Sequence, residues 1–338
     1  MSSEQRVTLA HGNGGRFMRE LISEVFAHHF KTDTTSAQLD TDADAVSLSL
    51  PDGIPMVSTD GFTVKPLEFP GGNIGSLAIH GTVNDLSVAG ARPLHLTVNA
   101  FIEEGLEFET LHRLIGSMAE AAREANITIV AGDTKVVPRG EGSGLYLATT
   151  GIGVRDPNLN LGMNLIQPGD KLLVSGPVGD HGTAVMLARE AFGLSGDLQS
   201  DSANVYPLTS ALSGHSALRF MRDPTRGGLA TVCHEINRNT GYSVRLNESE
   251  LPLRDPVRAV CEMLGYDPLY LACEGRVVAV AAAEGSDQLL SEWQALEQGK
   301  EAAIIGEIAE AGPVILQTEL GGERYIEELE DEPLPRIC

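Results

Sequence analysis

The chain has 338 residues, 42% of them hydrophobic, and a formal net charge of −23. That size and composition suit a packed protein of two domains and exclude a disordered chain. So acidic a balance argues against nucleic-acid or anionic-membrane binding, which need a basic face, but leaves open a nucleotide held by backbone N–H groups and Mg²⁺.

In chain order, the glycine cluster HGNGG (His11 to Gly15) precedes Phe17, Met18, Leu21, Val25 and Phe26 at helical spacing. Residues 45–50 and 56–59, apolar or alternating and bounded by turn residues, predict a pair of strands. PGGNIGSLAIHGTVNDLSVAGARP predicts a helix between breakers, with Gly71 and Gly72 before it and Gly90 and Pro93 after it. LTVNAFIEE reads as a strand, and Leu111, Leu114, Ile115, Met118 and Ala122 mark a second amphipathic helix. ITIVAGDTKVV and GLYLATTGIGV read as two further strands.

Around residues 155–169 the chain turns polar and is punctuated by Pro and Gly, which makes this stretch the candidate domain boundary. Beyond it, KLLVSGPVGDHGTAVMLARE reads as strand, glycine turn and helix, and DPTRGGLATVCHEINRNTGYSVRL as loop, helix and strand. RVVAVAAAEG, AAIIGEIAE and PVILQTEL predict closing strands, with a helix over 289–296 between the first two. The expected fold is α+β (or α/β) in two domains, 1–154 and 155–332, followed by a tail, 333–338.

No basic segment followed by an apolar core opens the chain, so no signal peptide is expected. The apolar runs are too short to span a bilayer. Cys233, Cys261, Cys273 and Cys338 show no CxxC pair and no zinc-like spacing. These features predict a cytoplasmic protein with reduced thiols.

Four acidic loops stand out as candidates for chemistry: DTDADAV (Asp40, Asp42, Asp44), VSTDG (Asp60), GTVNDLS (Asn84, Asp85) and VAGDTK (Asp133, Thr134, Lys135). Carboxylates gathered in one cleft repel and raise one another's pKa, and a divalent cation bridging them to phosphate oxygens relieves that repulsion. Each aspartate taken alone also fits an N-cap, an Asx turn or a solvated loop. The chain has only five lysines, so Lys135 inside such a loop is informative. No Walker-type GxxxxGK[ST] loop is present. HGNGG is either a phosphate-facing loop or an ordinary turn. DPTRGG places Asp223 and Thr225 before a helix, as caps or beside an anion site. Glu274 in ACEGR, taken alone, reads as a turn residue. The chain ends in PLPRIC, a thiol at a terminus.

Together STDGFTVKPLEFPGGNIG, HGTVNDLSVAGARP, AGDTKVVPRG, DPTRGGLA and the final PRIC resemble the HypE family of hydrogenase-maturation carbamoyl dehydratases, from His11 to Cys338. The acidic and glycine-rich loops are shared with the wider superfamily of aminoimidazole ribonucleotide synthetase, selenophosphate synthetase and thiamine-phosphate kinase. The terminal cysteine is the part specific to the HypE family.

The resemblance implies a two-domain, PurM-like fold whose N-terminal sheets pair across a homodimer, with ATP and Mg²⁺ bound near that interface. It implies that a carbamoyltransferase, HypF, loads a carbamoyl group on the Cys338 sulfur, and that ATP then drives dehydration of the thiocarboxamide to a thiocyanate. The cyanide passes to an iron-carrying HypC–HypD complex and on to a nickel–iron hydrogenase. Carried over by motif, Glu274 is the candidate base and Lys135 a charge stabiliser or proton relay. Asp60, Thr63, Asn84, Asp85, Asp133, Thr134 and Asp223 fall in the nucleotide loops, and Asp42, Asp44, Asp60, Asp85 and Asp133 at the metal positions. The first loop reads Asp42-Ala43-Asp44 rather than two adjacent acids, which leaves open which of the two faces the metal. His80 has no role derivable from the sequence. An ATP-dependent small-molecule synthetase or kinase of the same superfamily, and a non-catalytic scaffold docking through its tail, remain alternatives.

Overall fold

The computed structural model describes residues 6–31, 45–189 and 197–330. Asp42, Asp44 and Cys338 lie outside the described residues. In the first half, α1 (Arg16–Leu21) and α2 (His28–Phe30) precede β1 (Ile54–Phe62), β2 (Glu68–Phe69) and β3 (Gly72–Asn73). Helix α3 (Ile74–Val88), β4 (Ala91–Glu103), α4 (Phe108–Glu124), β5 (Thr128–Val137) and β6 (Leu145–Arg155) follow. The four long strands form one sheet in the order β1-β6-β4-β5.

Helix α3 is small or apolar on nearly every face, so it is buried almost throughout and packs on both the sheet and α4. Its start is fixed by Asn73, whose side chain accepts the N–H groups of Gly75 (2.8 Å) and Ser76 (3.2 Å). Helix α4 instead shows one apolar stripe, with Leu111, Leu114, Ile115, Met118 and Ala122 all buried.

The second half runs β7 (Lys171–Val174), α5 (Asp180–Arg189), α6 (Tyr206–Leu212), β8 (Leu218–Arg222), α7 (Gly228–Thr240), β9 (Tyr242–Asn247) and α8 (Asp255–Leu264). It closes with β10 (Val278–Ala281), α9 (Ala283–Gln294), β11 (Ala303–Ala311), β12 (Ile315–Gln317) and β13 (Glu323–Tyr325). Its sheet has the order β13-β12-β9-β11-β7-β10-β8. Strand β10 is buried on both faces: Val278 and Val280 enter one core, while Ala279 and Ala281 enter another with Trp293. The halves also share apolar packing, since Val185 of α5 and Val257 and Val260 of α8 belong to the first half's core.

The expected strand over 45–50 is not formed. Strand β1 begins after Pro51, which has no N–H to donate, and Gly53, whose φ is +144°, and among the described strands β1 pairs only with β6. The sequence reading also passed over α6, β8, α8 and β13. Among the described residues no helix is long and apolar enough to cross a membrane.

Candidate active site

Five carboxylates line a cleft of about 360 Å³ between the halves: Asp60 of β1, Asp85 of α3, Asp223 beyond β8, Glu235 of α7 and Glu274 before β10. Gly81 of α3 forms part of the wall, where a Cβ would lie 2.9 Å from the Phe62 ring. Asp60 accepts the Gly61 N–H at 2.7 Å and faces the Arg226 guanidinium at 3.3 Å. Asp85 accepts the Ser58 hydroxyl at 2.6 Å.

This crowding shows in the acidities. Burial pushes the Asp85 carboxyl up and the Asp60 charge adds to it, against the Ser58 hydrogen bond. Asp223, 7% exposed, is raised to about 7, by burial first and by Asp85 second. Glu274, 3% exposed, lies well above the usual carboxylate value, chiefly through burial and then through Asp223 and Asp201. A buried carboxylate with such a raised proton affinity is a stronger base than a solvated one. Arg222, which pairs with Glu235 at 3.3 Å, and Arg226 are the cations lining the cleft.

The donors suit a hard divalent cation, since Asp60, Asp85 and Asp223 offer only carboxylate oxygen and a cation would relieve their repulsion. Among the described residues, no group of three or more potential ligands already has metal-holding geometry. Mg²⁺ commonly takes one or two carboxylates and completes its shell with phosphate and water, so the set fits it.

Other expected site residues lie elsewhere. Thr63 is half-buried just beyond β1 and does not line the cleft. Asn84 is 2% exposed and its amide is used within the protein: it donates to the carbonyls of Glu274 and Ala203 at 3.0 Å each and accepts the Val205 N–H at 2.9 Å. Asp133, Thr134 and Lys135 sit on β5. The register Asp60↔Thr149, Thr149↔Val98, Val98↔Gly132 puts β5 three strand spacings, roughly 14 Å, from β1. There Lys135 pairs with Asp133 at 2.8 Å, which holds the Asp133 carboxyl below its usual value. Thr134 is buried and its hydroxyl has no partner.

His80 gains a place. Its Nδ1 lies 3.0 Å from the Ser202 hydroxyl, and burial lowers its pKa to about 4, so it is neutral at neutral pH. Sequence reasoning missed Arg222 and Asp201, whose positions only the tertiary fold reveals. The three described cysteines are buried, and burial raises each thiol, Cys233 to about 12 and Cys261 to about 11, which makes them poor nucleophiles.

The chain's last described residues run beside this cleft. The Tyr270 hydroxyl donates to the Glu327 carbonyl at 2.7 Å, Arg238 pairs with Glu328 at 2.6 Å, and a Cβ on Gly227 would lie 3.4 Å from Leu329.

Two mixed sheets around an acidic interdomain cleft define a PurM-like, AIR synthase-related protein. The family models for the AIR synthase related protein match accordingly, the N-terminal domain over residues 42–155 and the C-terminal domain over 167–318. The chain belongs to the carbamoyl dehydratase HypE family: it is 45% identical over 335 residues to carbamoyl dehydratase HypE of Azotobacter vinelandii, covering 98% of this chain and 97% of that protein. The solved structure of hydrogenase maturation protein HypE in complex with ATP superposes with a TM-score of 0.91 at 41% identity, covering 98% of this chain and 99% of that one. A HypE–HypF complex structure superposes with a TM-score of 0.80 at 42% identity, covering 91% of this chain and 99% of that one.

Proposed function

We propose that the chain is an ATP-dependent carbamoyl dehydratase acting on its own S-carbamoylated Cys338 in hydrogenase maturation. The observation that carries this reading is Glu274, a buried carboxylate of raised proton affinity on the same cleft as Asp60, Asp85 and Asp223. A carboxamide oxygen is a poor leaving group. Transfer of the ATP γ-phosphoryl group to that oxygen turns it into phosphate, and two N–H protons must leave the nitrogen as the C–O bond breaks and the nitrile forms. Glu274 is the base for one of these N–H protons, and the departing phosphate carries away the other. Asp60, Asp85 and Asp223 hold the Mg²⁺–phosphate end, and Arg222 and Arg226 face the charge that develops there. Bound Mg²⁺ supplies neutralisation of phosphate charge. Asn84 acts by holding the Glu274 main chain rather than by touching nucleotide.

Lys135 reaches this chemistry through a second copy. Strands β1 and β5 are the two edges of the first sheet, and unpaired edges are where strands add. Ile54, Val57 and Phe101 are 39%, 67% and 40% exposed, so this sheet also carries uncovered apolar side chains. A homodimer that pairs the β1 edge of one copy with the β5 edge of the other brings Asp133, Thr134 and Lys135 toward the Asp60 cleft. Thr63 stays a nucleotide-loop candidate, and Asp42 and Asp44 metal candidates. HypF as carbamoyl donor, a HypC–HypD complex as cyanide acceptor and a cytoplasmic location complete the reading.

The deciding experiment loads Cys338 with carbamoyl and follows the intact mass in the presence of ATP and Mg²⁺. Glu274→Gln is expected to accept the carbamoyl group but not to lose water, and Cys338→Ser to accept nothing while still binding ATP. Normal dehydration by Glu274→Gln overturns its role as base, and cyanide transfer by Cys338→Ser overturns the reaction.

A further inference from the structure

We infer that Asp201, on a strap formed by residues 200–205, is a positioning residue that fixes the main chain of Glu274 and so aims its carboxylate into the cleft. The Asp201 side chain is 0% exposed. Its two oxygens accept consecutive main-chain donors, the Glu274 N–H at 3.1 Å and the Gly275 N–H at 3.2 Å. The Oδ2 that accepts the Gly275 N–H also lies 3.4 Å from Arg276 Nε, and Arg276 faces Asp180 at 3.5 Å. Gly275 is required by this contact, because a Cβ there would sit 1.8 Å from the Asp201 carbonyl oxygen.

The strap is tied at both ends to the first half of the chain. Ser200 N–H donates to the Pro70 carbonyl at 2.8 Å, the Ser202 hydroxyl meets His80, and Asn84 grips Ala203 and Val205. Asn84 also takes the Glu274 carbonyl. With its N–H held by Asp201 and its C=O by Asn84, Glu274 moves only by rotation of its own side-chain bonds. A base must sit within hydrogen-bond reach of the proton it takes, and a misplacement of about 1 Å costs on the order of 100-fold in rate. A merely structural ion pair has no reason to spend both carboxylate oxygens on the two N–H groups flanking one catalytic side chain.

This inference rests on the reading of Glu274 as the base, so the test carries its own check of that reading. Full-length chain carbamoylated on Cys338 is given ATP and Mg²⁺, and single-turnover water loss is followed by intact mass alongside ATP affinity and melting temperature. Asp201→Asn is expected to slow water loss roughly 10–100-fold with ATP affinity within about threefold of the parent. Ser202→Ala, a milder change that only frees the strap from His80, is expected to slow it several-fold and keeps the test open should Asp201→Asn not fold. Leu212→Ala, in the separate core around Trp293, supplies a destabilised control expected to dehydrate normally below its melting temperature. Parental rates in both strap variants, or a rate loss matched by an equal loss of ATP affinity, overturn the inference. Normal dehydration by Glu274→Gln overturns the underlying base assignment instead.

Discussion

The side-chain amide of Asn84 donates a 3.0 Å hydrogen bond to the main-chain carbonyl of Glu274, tying α3 of the first half to the loop that bears the proposed base. Asn84→Ala leaves that carbonyl, the Ala203 carbonyl and the Val205 N–H without this partner. An unsatisfied buried polar group costs about 1–3 kcal/mol. The expected loss is roughly 2–4 kcal/mol in denaturant unfolding, with slower dehydration. A loss within error of zero would show that the amide is dispensable.

Asp180 gives a pH signature. It is buried, and its carboxyl is raised to about 6 from the usual 3.8 by burial and by Asp201, against Arg254 and Arg276. The native state therefore binds this proton more tightly than the unfolded chain. The stabilisation is full below pH 3.8 and lost as the pH rises through 6, a change on the order of 2–3 kcal/mol. The melting temperature of the parent minus that of Asp180→Asn should fall between about pH 4 and 6 and level off above. A difference that grows with pH in that window contradicts the assignment.

Mixed dimers test where Lys135 acts. Glu274→Gln and Lys135→Ala homodimers are both expected to fail at dehydration. Co-assembled, they form heterodimers in which one cleft has Glu274 from one copy and Lys135 from the other, so partial activity should return. No recovery in verified heterodimers would place Lys135 with the Glu274 of its own chain.

Gly275→Ala addresses the strap from the opposite side. The added methyl meets main chain rather than a movable side chain, at 1.8 Å from the Asp201 carbonyl oxygen. It is expected to lower the melting temperature and to slow dehydration together, as overpacking typically costs 1–3 kcal/mol. An unchanged variant would mean that the strap yields freely.

Chelation separates the carboxylates' roles. With EDTA present, ATP affinity should drop, and Asp85→Asn should weaken the Mg²⁺ dependence of ATP binding roughly tenfold or more. Calorimetry with and without Mg²⁺ reads both. Equal affinity under the two conditions would leave Asp60, Asp85 and Asp223 without the proposed metal role.

The sequence exposed the acids more readily than their setting. Asp60 lies near the end of a strand and Asp223 shortly before a Gly-Gly helix start, local patterns that mark a cleft before any fold is known. Asn84 shared a motif with Asp85, yet one helical step turns it into the interior, where it holds main chain instead of facing the cleft. Lys135 and Asp133 looked like members of the same cluster until the strand order set them at the far edge. Asp201 carried no local signal, because its meaning lies in two N–H groups 73 and 74 residues away. Residues 45–50 alternate as a strand would, but alternation does not supply a hydrogen-bonding neighbour.

The anchoring of Leu329 beside Gly227 also bears on kinetics. Cys338 lies nine positions beyond Leu329, and nine residues of chain reach at most about 30 Å. A thiol on so short a leash meets the cleft at an effective concentration of order millimolar, whatever the amount of protein in solution. On the proposed reading, dehydration of the loaded chain is therefore first-order and insensitive to dilution as long as the homodimer that supplies Lys135 stays intact. Any further concentration dependence belongs to the loading and unloading encounters with other proteins.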